Sequence, residues 1–289
     1  MLPVDKTYVQ QDTGVKFVVM KNLCLDSQVE IISVHVHKTA GGTFGRALKQ
    51  VYGEMQVFSD YQEEKVEKIL PELSVKPQIK VIHGHFAARK YKRYFSSAKR
   101  IIWLRNPIIQ FISGYFFWKS QPQKDVFFSE EHKYMVENNI SLLEFADINA
   151  KKGINPLADF YCRDVDLTDF YFVGVQEFFQ DDLAELKQML GWPDFKIEVF
   201  NQNKYHNYWE HLQKALDDKN TLKKLTEITS KDMEIYQAAL DMRAKRKGLS
   251  GSFQQYEIAL SASRQNLSQI KAILERNRSK ISNTVTVSS

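Results

Sequence analysis

The sequence predicts an α/β fold: a mostly parallel sheet flanked by helices, with a helical C-terminal extension. Three observations carry this. Short, nearly continuous apolar runs have the character of strands covered on both faces. Amphipathic stretches of helix length alternate with them over the first two thirds of the chain. From Tyr208 to Arg243 the pattern is helical throughout.

In chain order, strands are expected at Ile31–Val36, Lys80–His83, Arg100–Leu104 and Asp169–Val175. Helices are expected at Thr43–Val51 before Gly53, Ser59–Leu70 before Pro71, and Pro107–Lys119. A further helix runs from Glu177 to Leu190, with acidic residues in its first turn and Gly191 to close it. Residues 1–242 form one domain, 243–252 a flexible basic linker, and 253–289 a C-terminal helix with a frayed tail. In that last segment Phe253, Tyr256, Leu260, Leu267, Ile270, Leu274 and Ile281 follow heptad spacing, interrupted by Ser263 and Asn277. Such a helix either pairs with a second copy, giving a homo-oligomer, or docks on its own domain.

The 289 residues carry 40 Lys+Arg against 35 Asp+Glu, and 43% are hydrophobic, the balance of an ordinary soluble protein. A net charge of +5 is too small to announce a nucleic-acid binder, yet it suits an anionic ligand. No apolar run reaches the roughly 18 residues of a membrane helix; Phe17-Val18-Val19-Met20 stops at Lys21. The opening Met1–Lys6 lacks the basic-then-apolar order of a signal peptide. Cys24 and Cys162 lie far apart, so reduced thiols and a cytoplasmic setting are expected.

The chemistry concentrates in two segments. His37-Lys38-Thr39-Ala40-Gly41-Gly42-Thr43 follows a strand and opens a helix. Glycines let backbone N–H groups converge, and the helix adds its positive end, which makes an anion site of the P-loop type. Lysine precedes the glycines, so this is no Walker A sequence. The alternative is a plain strand-to-helix turn rich in small residues. The second segment, Arg105-Asn106-Pro107, ends another strand, and Ser113 lies two turns into the helix that Pro107 begins. An arginine fork at the carboxyl rim of a sheet suits a phosphate dianion, whereas the structural alternative is a salt bridge.

Val36 to Phe44 and Leu104 to Tyr115 together resemble the PAPS-dependent carbohydrate sulfotransferases. A third block, Phe172-Val173-Gly174-Val175-Gln176-Glu177 with Leu190-Gly191-Trp192, is similar to the same family. The resemblance implies 3′-phosphoadenylyl sulfate (PAPS) as co-substrate, leaving as PAP. Lys38, Thr39, Ala40, Gly41, Gly42, Thr43 and Phe44 would cradle its 5′-phosphosulfate, with Arg105 and Ser113 on the 3′-phosphate. Lys38 would steady the charge on the bridging oxygen, and no metal is required. The sequence departs from the family pattern at His37, usually proline, and at Asn106 and Gln110, more often Asp and Arg.

Sulfuryl transfer needs a base for the acceptor hydroxyl, and histidine titrates in the right range. His83-Gly84-His85 closes a strand, where alternate residues share a face. It is similar to the histidine segment of the uronyl and heparan 2-O-sulfotransferases. His85 is assigned as base and His83 as helper or substrate contact. Arg89-Lys90-Tyr91-Lys92-Arg93 just beyond could bind an acidic glycan through Arg89, Lys90 and Lys92, or could be a solvated face. Rival functions are a metallohydrolase using His35/His37 and His83/His85, a P-loop nucleotide kinase, and a non-catalytic PAP- or glycan-binding protein.

Overall fold

The computed structural model describes residues 28–61, 65–121, 129–195 and 205–249. Five strands, β1 (Ile31–Val34), β2 (Val57–Asp60), β3 (Val81–Gly84), β4 (Lys99–Leu104) and β5 (Phe172–Val175), form one sheet in the order β2-β3-β1-β4-β5. Every pairing is parallel. The alternation of side chains sorts the strands onto two cores. Ile31, Val81, Ile101, Trp103 and Phe172 pack with Phe44 and Leu48 of α1 (Gly41–Tyr52). Leu183 and Leu186 of α6 (Phe179–Leu190) join them on that face. Ile32, Ile82, Ile102 and Val173 face the other way, onto α2 (Val66–Ser74) and onto Tyr236 and Leu240 of α9 (Ser230–Arg246).

A third core lies in helices alone. It joins α3 (Pro107–Lys119), α4 (Glu130–Glu137), α5 (Leu142–Lys152), α7 (Tyr208–Asp217) and α8 (Lys219–Ile228) around Ile112, Met135, Leu212 and Leu225. The fold is thus the expected α/β arrangement of a parallel sheet flanked by helices.

Three local expectations change. The spacing predicts a helix from Ser59 to Leu70, but Ser59 and Asp60 belong to Val57–Asp60, which pairs with β3 from Val57↔Val81 to Asp60↔Gly84 and is the edge strand β2. Tertiary pairing outweighs the helical spacing there. Helix α2 starts later, at Val66, and continues past Pro71. The carbonyl that proline's missing N–H would have paired belongs to the exposed Glu67, where water can replace it. Helix α9 runs to Arg246, so the first residues of the expected linker are helical. Their charges are answered: Arg243 Nε lies 2.7 Å from Asp182 and Arg246 Nε 2.7 Å from Glu185, both on α6. The heptad segment 253–289 lies outside the described residues.

Candidate active site

β3, β1 and β4 are adjacent, so the segments leaving their carboxyl ends meet at one rim: 84–85, 35–40 and 105–106. Such rims are where open parallel sheets place ligands. The loop after β1 turns sharply, with Lys38 and Ala40 both in the left-handed region at φ 61° and 65°. The Thr39 hydroxyl donates to the Val36 carbonyl at 2.7 Å, so it braces the loop from within. Helix α1 then begins at Gly41 with no side-chain cap and no acidic residue in its first turn. Its first N–H groups therefore keep the positive end of the helix free for an anion. A side chain at Gly41 would fall 1.7 Å from His35, so only glycine fits.

Lys38 lies with its Nζ 4.1 Å from the centre of the Phe117 ring. Burial, and then the charge of Arg105, lowers its pKa from 10.5 to about 8. Arg105 Nη1 donates to the Lys38 carbonyl at 3.1 Å, and its Nε is buried without a partner among the described residues. Among the described residues neither cation makes an ion pair, although the buried Glu177 carboxylate feels the charge of Arg105.

Helix α3 supports this loop along one face, where Asn106, Gln110, Ser113 and Phe117 recur at helical spacing. Asn106 caps the helix, accepting from Ile108 N at 3.0 Å, and its own N–H donates to buried Glu177 at 3.0 Å. Gln110 Nε2 donates to the His37 carbonyl at 3.0 Å. Asn106 and Gln110, two of the three departures from the family pattern, thus hold the chain in place. Ser113 is buried on the same face. Thr43 is buried in the first turn of α1, and Phe44 points into the core beneath.

The histidines form a column. His35 stacks on His85 at 4.2 Å between ring centres and on His83 at 5.1 Å. His83 is the deep member, 3% exposed and hydrogen-bonded through Nδ1 to Ser33 at 2.8 Å. Its ring lies against Gly45 of α1. Burial, then the neighbouring His85, depresses its pKa to about 3. The expected role of His83 as helper meets a physical obstacle, since its ring lies beneath α1 and away from the rim. His85 sits at the rim. Its Nδ1–H donates to the His35 carbonyl at 2.5 Å, which fixes the tautomer and leaves Nε2 as the basic nitrogen. Burial lowers its pKa, so the ring is neutral and ready to accept a proton.

The two His-x-His pairs do come together, yet not as metal ligands. The rings lie face to face, and Nδ1 of His35 and His83 is taken by Tyr61 and Ser33. Among the described residues no group of three or more His, Cys, Asp and Glu is disposed to hold a metal ion.

The basic run has a structural use. Arg89 pairs with Asp164, Lys90 with the buried Asp60 at 2.7 Å, and Lys92 with Asp169 at 2.8 Å. These pairs fasten the segment after β3 to β2 and to the residues before β5. Two tyrosines escaped sequence reasoning. Tyr61 sets its ring edge against His85 with centres 5.0 Å apart, and the Tyr161 hydroxyl lies 3.4 Å from His85 Nδ1. Neither sits in a motif, and only the fold brings them to the rim.

A family model described as "Sulfotransferase family" matches residues 21–237, three quarters of the chain. The chain belongs to the sulfotransferase family. Among solved structures, this sulfotransferase is similar to a sulfotransferase from Alicyclobacillus acidocaldarius. That likeness has 14% identity and a TM-score of 0.33, covering 70% of this chain and 96% of the other. No curated protein matches it. Among the described residues no helix of the sulfotransferase is long and apolar enough to cross a membrane.

Proposed function

We propose that the protein moves the sulfuryl group of 3′-phosphoadenylyl sulfate to a carbohydrate hydroxyl by in-line displacement at sulfur. One observation carries this reading: Lys38 and Arg105, two cations with no ion pair among the described residues, stand beside the uncapped N-terminus of α1. Arg105 has the buried Glu177 carboxylate within Coulombic reach, but Lys38 has no acidic partner among the described residues, and a half-buried ammonium is costly unless an anion completes it. The first-turn N–H groups from Gly41 to Thr43 would hold the 5′-phosphate. Arg105, just past the end of β4, and Ser113, on α3, would take the 3′-phosphate.

His85 Nε2 accepts the hydroxyl proton as the new O–S bond forms. The old S–O bond breaks, and its electron pair leaves on the bridging oxygen of PAP. Lys38 stabilises that developing charge, a preorganised electrostatic effect of the kind that dominates phosphoryl transfer. Metal plays no part in the scheme.

The acceptor side rests on Tyr61, 47% exposed and edge-on to His85, where a sugar can lay its apolar face. The His83-Gly84-His85 likeness favours a uronyl-type saccharide. Arg89, Lys90 and Lys92 are already neutralised, so the reading rests on stacking and a well-placed hydroxyl and not on their charge.

The test is a thermal-shift titration with PAP beside ATP, sulfate, and zinc with a chelator, followed by turnover of PAPS with a saccharide panel. At 100 times its Kd, PAP should add about 2.7 kcal/mol, a rise of roughly 5 °C in a chain of this size. Folded protein that shows no shift at millimolar PAP overturns the donor. A PAP shift without turnover on any hydroxyl acceptor leaves a binding protein.

A further inference from the structure

Tyr161 belongs to none of the motifs, yet the fold holds it firmly at the rim. It ends a π turn, Leu157–Tyr161, closed by Cys162 N–H donating to the Leu157 carbonyl at 2.7 Å. Turns of this kind are rare and gather at functional sites. Two hydrogen bonds and burial pin it. Asp232 of α9 accepts from Ala158 N at 2.9 Å. The Tyr161 carbonyl accepts from Ala88 N at 2.8 Å, in the segment just beyond His85. The side chain is 5% exposed.

The hydroxyl so placed has two imidazole neighbours. Tyr161 Oη lies 3.3 Å from His37 Nδ1 and 3.4 Å from His85 Nδ1. Both are long hydrogen bonds, as catalytic contacts commonly are before a substrate binds. The directions follow from the donors. His85 Nδ1 has one proton, committed to the His35 carbonyl at 2.5 Å, so toward Tyr161 it can only share that proton, as the longer arm of a three-centre bond. The phenol oxygen then accepts, and its own proton is left for His37 Nδ1, which must be the bare nitrogen of a neutral ring. Burial, then the charges of His85 and Lys38, keeps His37 neutral with a pKa near 4.

We propose that Tyr161 is a positioning residue for His85, held in its accepting orientation by His37, so that the imidazolium formed when His85 takes the acceptor proton is stabilised at Nδ1. This rests on His85 being the base in sulfuryl transfer. It also gives His37 a purpose at a position where the family pattern expects a proline, which could accept no proton from Tyr161. A buried hydroxyl facing a ring that becomes cationic acts mainly on the charged form. Its loss should therefore change basicity and turnover, and leave substrate binding alone.

The experiment uses the full chain with Tyr161→Phe, His37→Leu and His37→Gln, each checked for an unchanged melting temperature. Side-chain ¹⁵N spectra of the ligand-free protein, with His85→Gln to assign the signal, give the tautomer and titration midpoint of His85. The groups that bear on that midpoint are His35 and His83 in the column, Tyr61 at its edge, and His37 and Lys38 in the loop. Wild type should show Nδ1–H, and Tyr161→Phe should lower the midpoint. A midpoint that stays put or rises overturns the proposal, whatever the enzyme's reaction proves to be.

With PAPS and an active acceptor, Tyr161→Phe and His37→Leu should each lower kcat about tenfold with both KM values unchanged, since one pKa unit corresponds to a tenfold effect. The double variant should be no slower than either single one, because both remove the same contact. His37→Gln, whose carbonyl can accept the phenol proton, should recover turnover lost in His37→Leu. Losses that multiply in the double variant, or fall on KM, overturn it. A lowered midpoint without sulfuryl transfer would sustain the contact and overturn the reaction.

Discussion

Two sets of cations in this chain have opposite fates. On α9, Arg243 and Arg246 meet Asp182 and Glu185 on α6, and their guanidinium groups lie over Phe178 and Phe172 at 3.8 and 4.4 Å. Asp182 also accepts from Val175 N at 2.9 Å, so this network ties both helices to the last strand. At the opposite fate stand Lys38, which lies over an aromatic ring, and Arg105, which bonds a backbone carbonyl with Glu177 in Coulombic reach; neither makes an ion pair among the described residues. The first set is finished by the protein itself. On the proposed function, the second is completed by a bound anion. Charge alone therefore says little about function; what decides is whether the chain has already supplied the counter-charge.

The largest expected effects separate the two sets by readout. His85→Ala should lower sulfuryl-transfer turnover by about 10²–10⁴, the usual worth of a general base, with the melting temperature unchanged. Activity within a few fold of wild type would remove His85 from the mechanism. Arg243→Ala should act the other way. It strips buried Asp182 of its 2.7 Å partner and leaves it only Arg246 at 3.9 Å and the Val175 N–H, which costs about 3 kcal/mol of stability measured by urea unfolding, while the folded fraction keeps its kcat. Lys38→Met should weaken PAP binding and gain or hold stability, because it removes a half-buried charge that has no acidic partner among the described residues. If Lys38→Met destabilised as strongly as Arg243→Ala, the contrast between the two sets would collapse.

A smaller effect comes from the histidine column. Burial, then mutual repulsion, lowers His35 to about 2, and burial leads the shifts of His83 to about 3 and His37 to about 4, against 6.5 in an unfolded chain. Below pH 6.5 the unfolded state then binds more protons, so stability falls with falling pH by about 1.4 kcal/mol per unit for each histidine. Asp232, which burial pushes up to about 6, opposes this for one proton. Urea unfolding at pH 7.5 and 5.5 should show a marked loss in wild type. His35→Phe, which keeps a flat ring, should show a loss smaller by one histidine. Equal losses in the two would mean that His35 is protonated in the folded protein.

Much of this rim was legible in the sequence because the signals were local. Strand cores of Ile and Val, Pro107 opening α3, Gly191 closing α6 and the Lys38–Thr43 loop each speak within a few residues. β2 was not legible: four residues ending in Ser59 and Asp60 declare a strand only by pairing with β3. Helices α4 and α5 did carry readable caps, at Ser129 and in the Ser141/Glu144 capping box with Gly153, that the motif-led reading passed over. The basic runs 89–92 and 243–246 looked alike as free charge, since their carboxylates lie between 30 and 77 residues away. Tyr161, 76 residues from His85, gave no signal at all.

The smallest effect tests the rim most directly, because it follows one proton on one side chain. Free Lys38 titrates near pH 8, lowered by burial and by Arg105. A bound phosphate or sulfate group supplies the missing counter-charge and must raise that value. Binding is then strongest below pH 8, where the ammonium is already formed, and weakens by up to about tenfold per unit above it as the protein must take up a proton to bind. The phosphate groups of PAP are fully ionised well below this range, with second pKa values near 6, so they add no slope of their own. Titration calorimetry at pH 7, 8 and 9 in buffers of different ionisation enthalpy reads both the affinity and the proton uptake. Lys38→Met should bind weakly with no pH dependence between 8 and 9. A wild-type affinity equally flat over that range would place the Lys38 ammonium away from the ligand, and the left-handed turn that presents it would then serve the loop and not the anion.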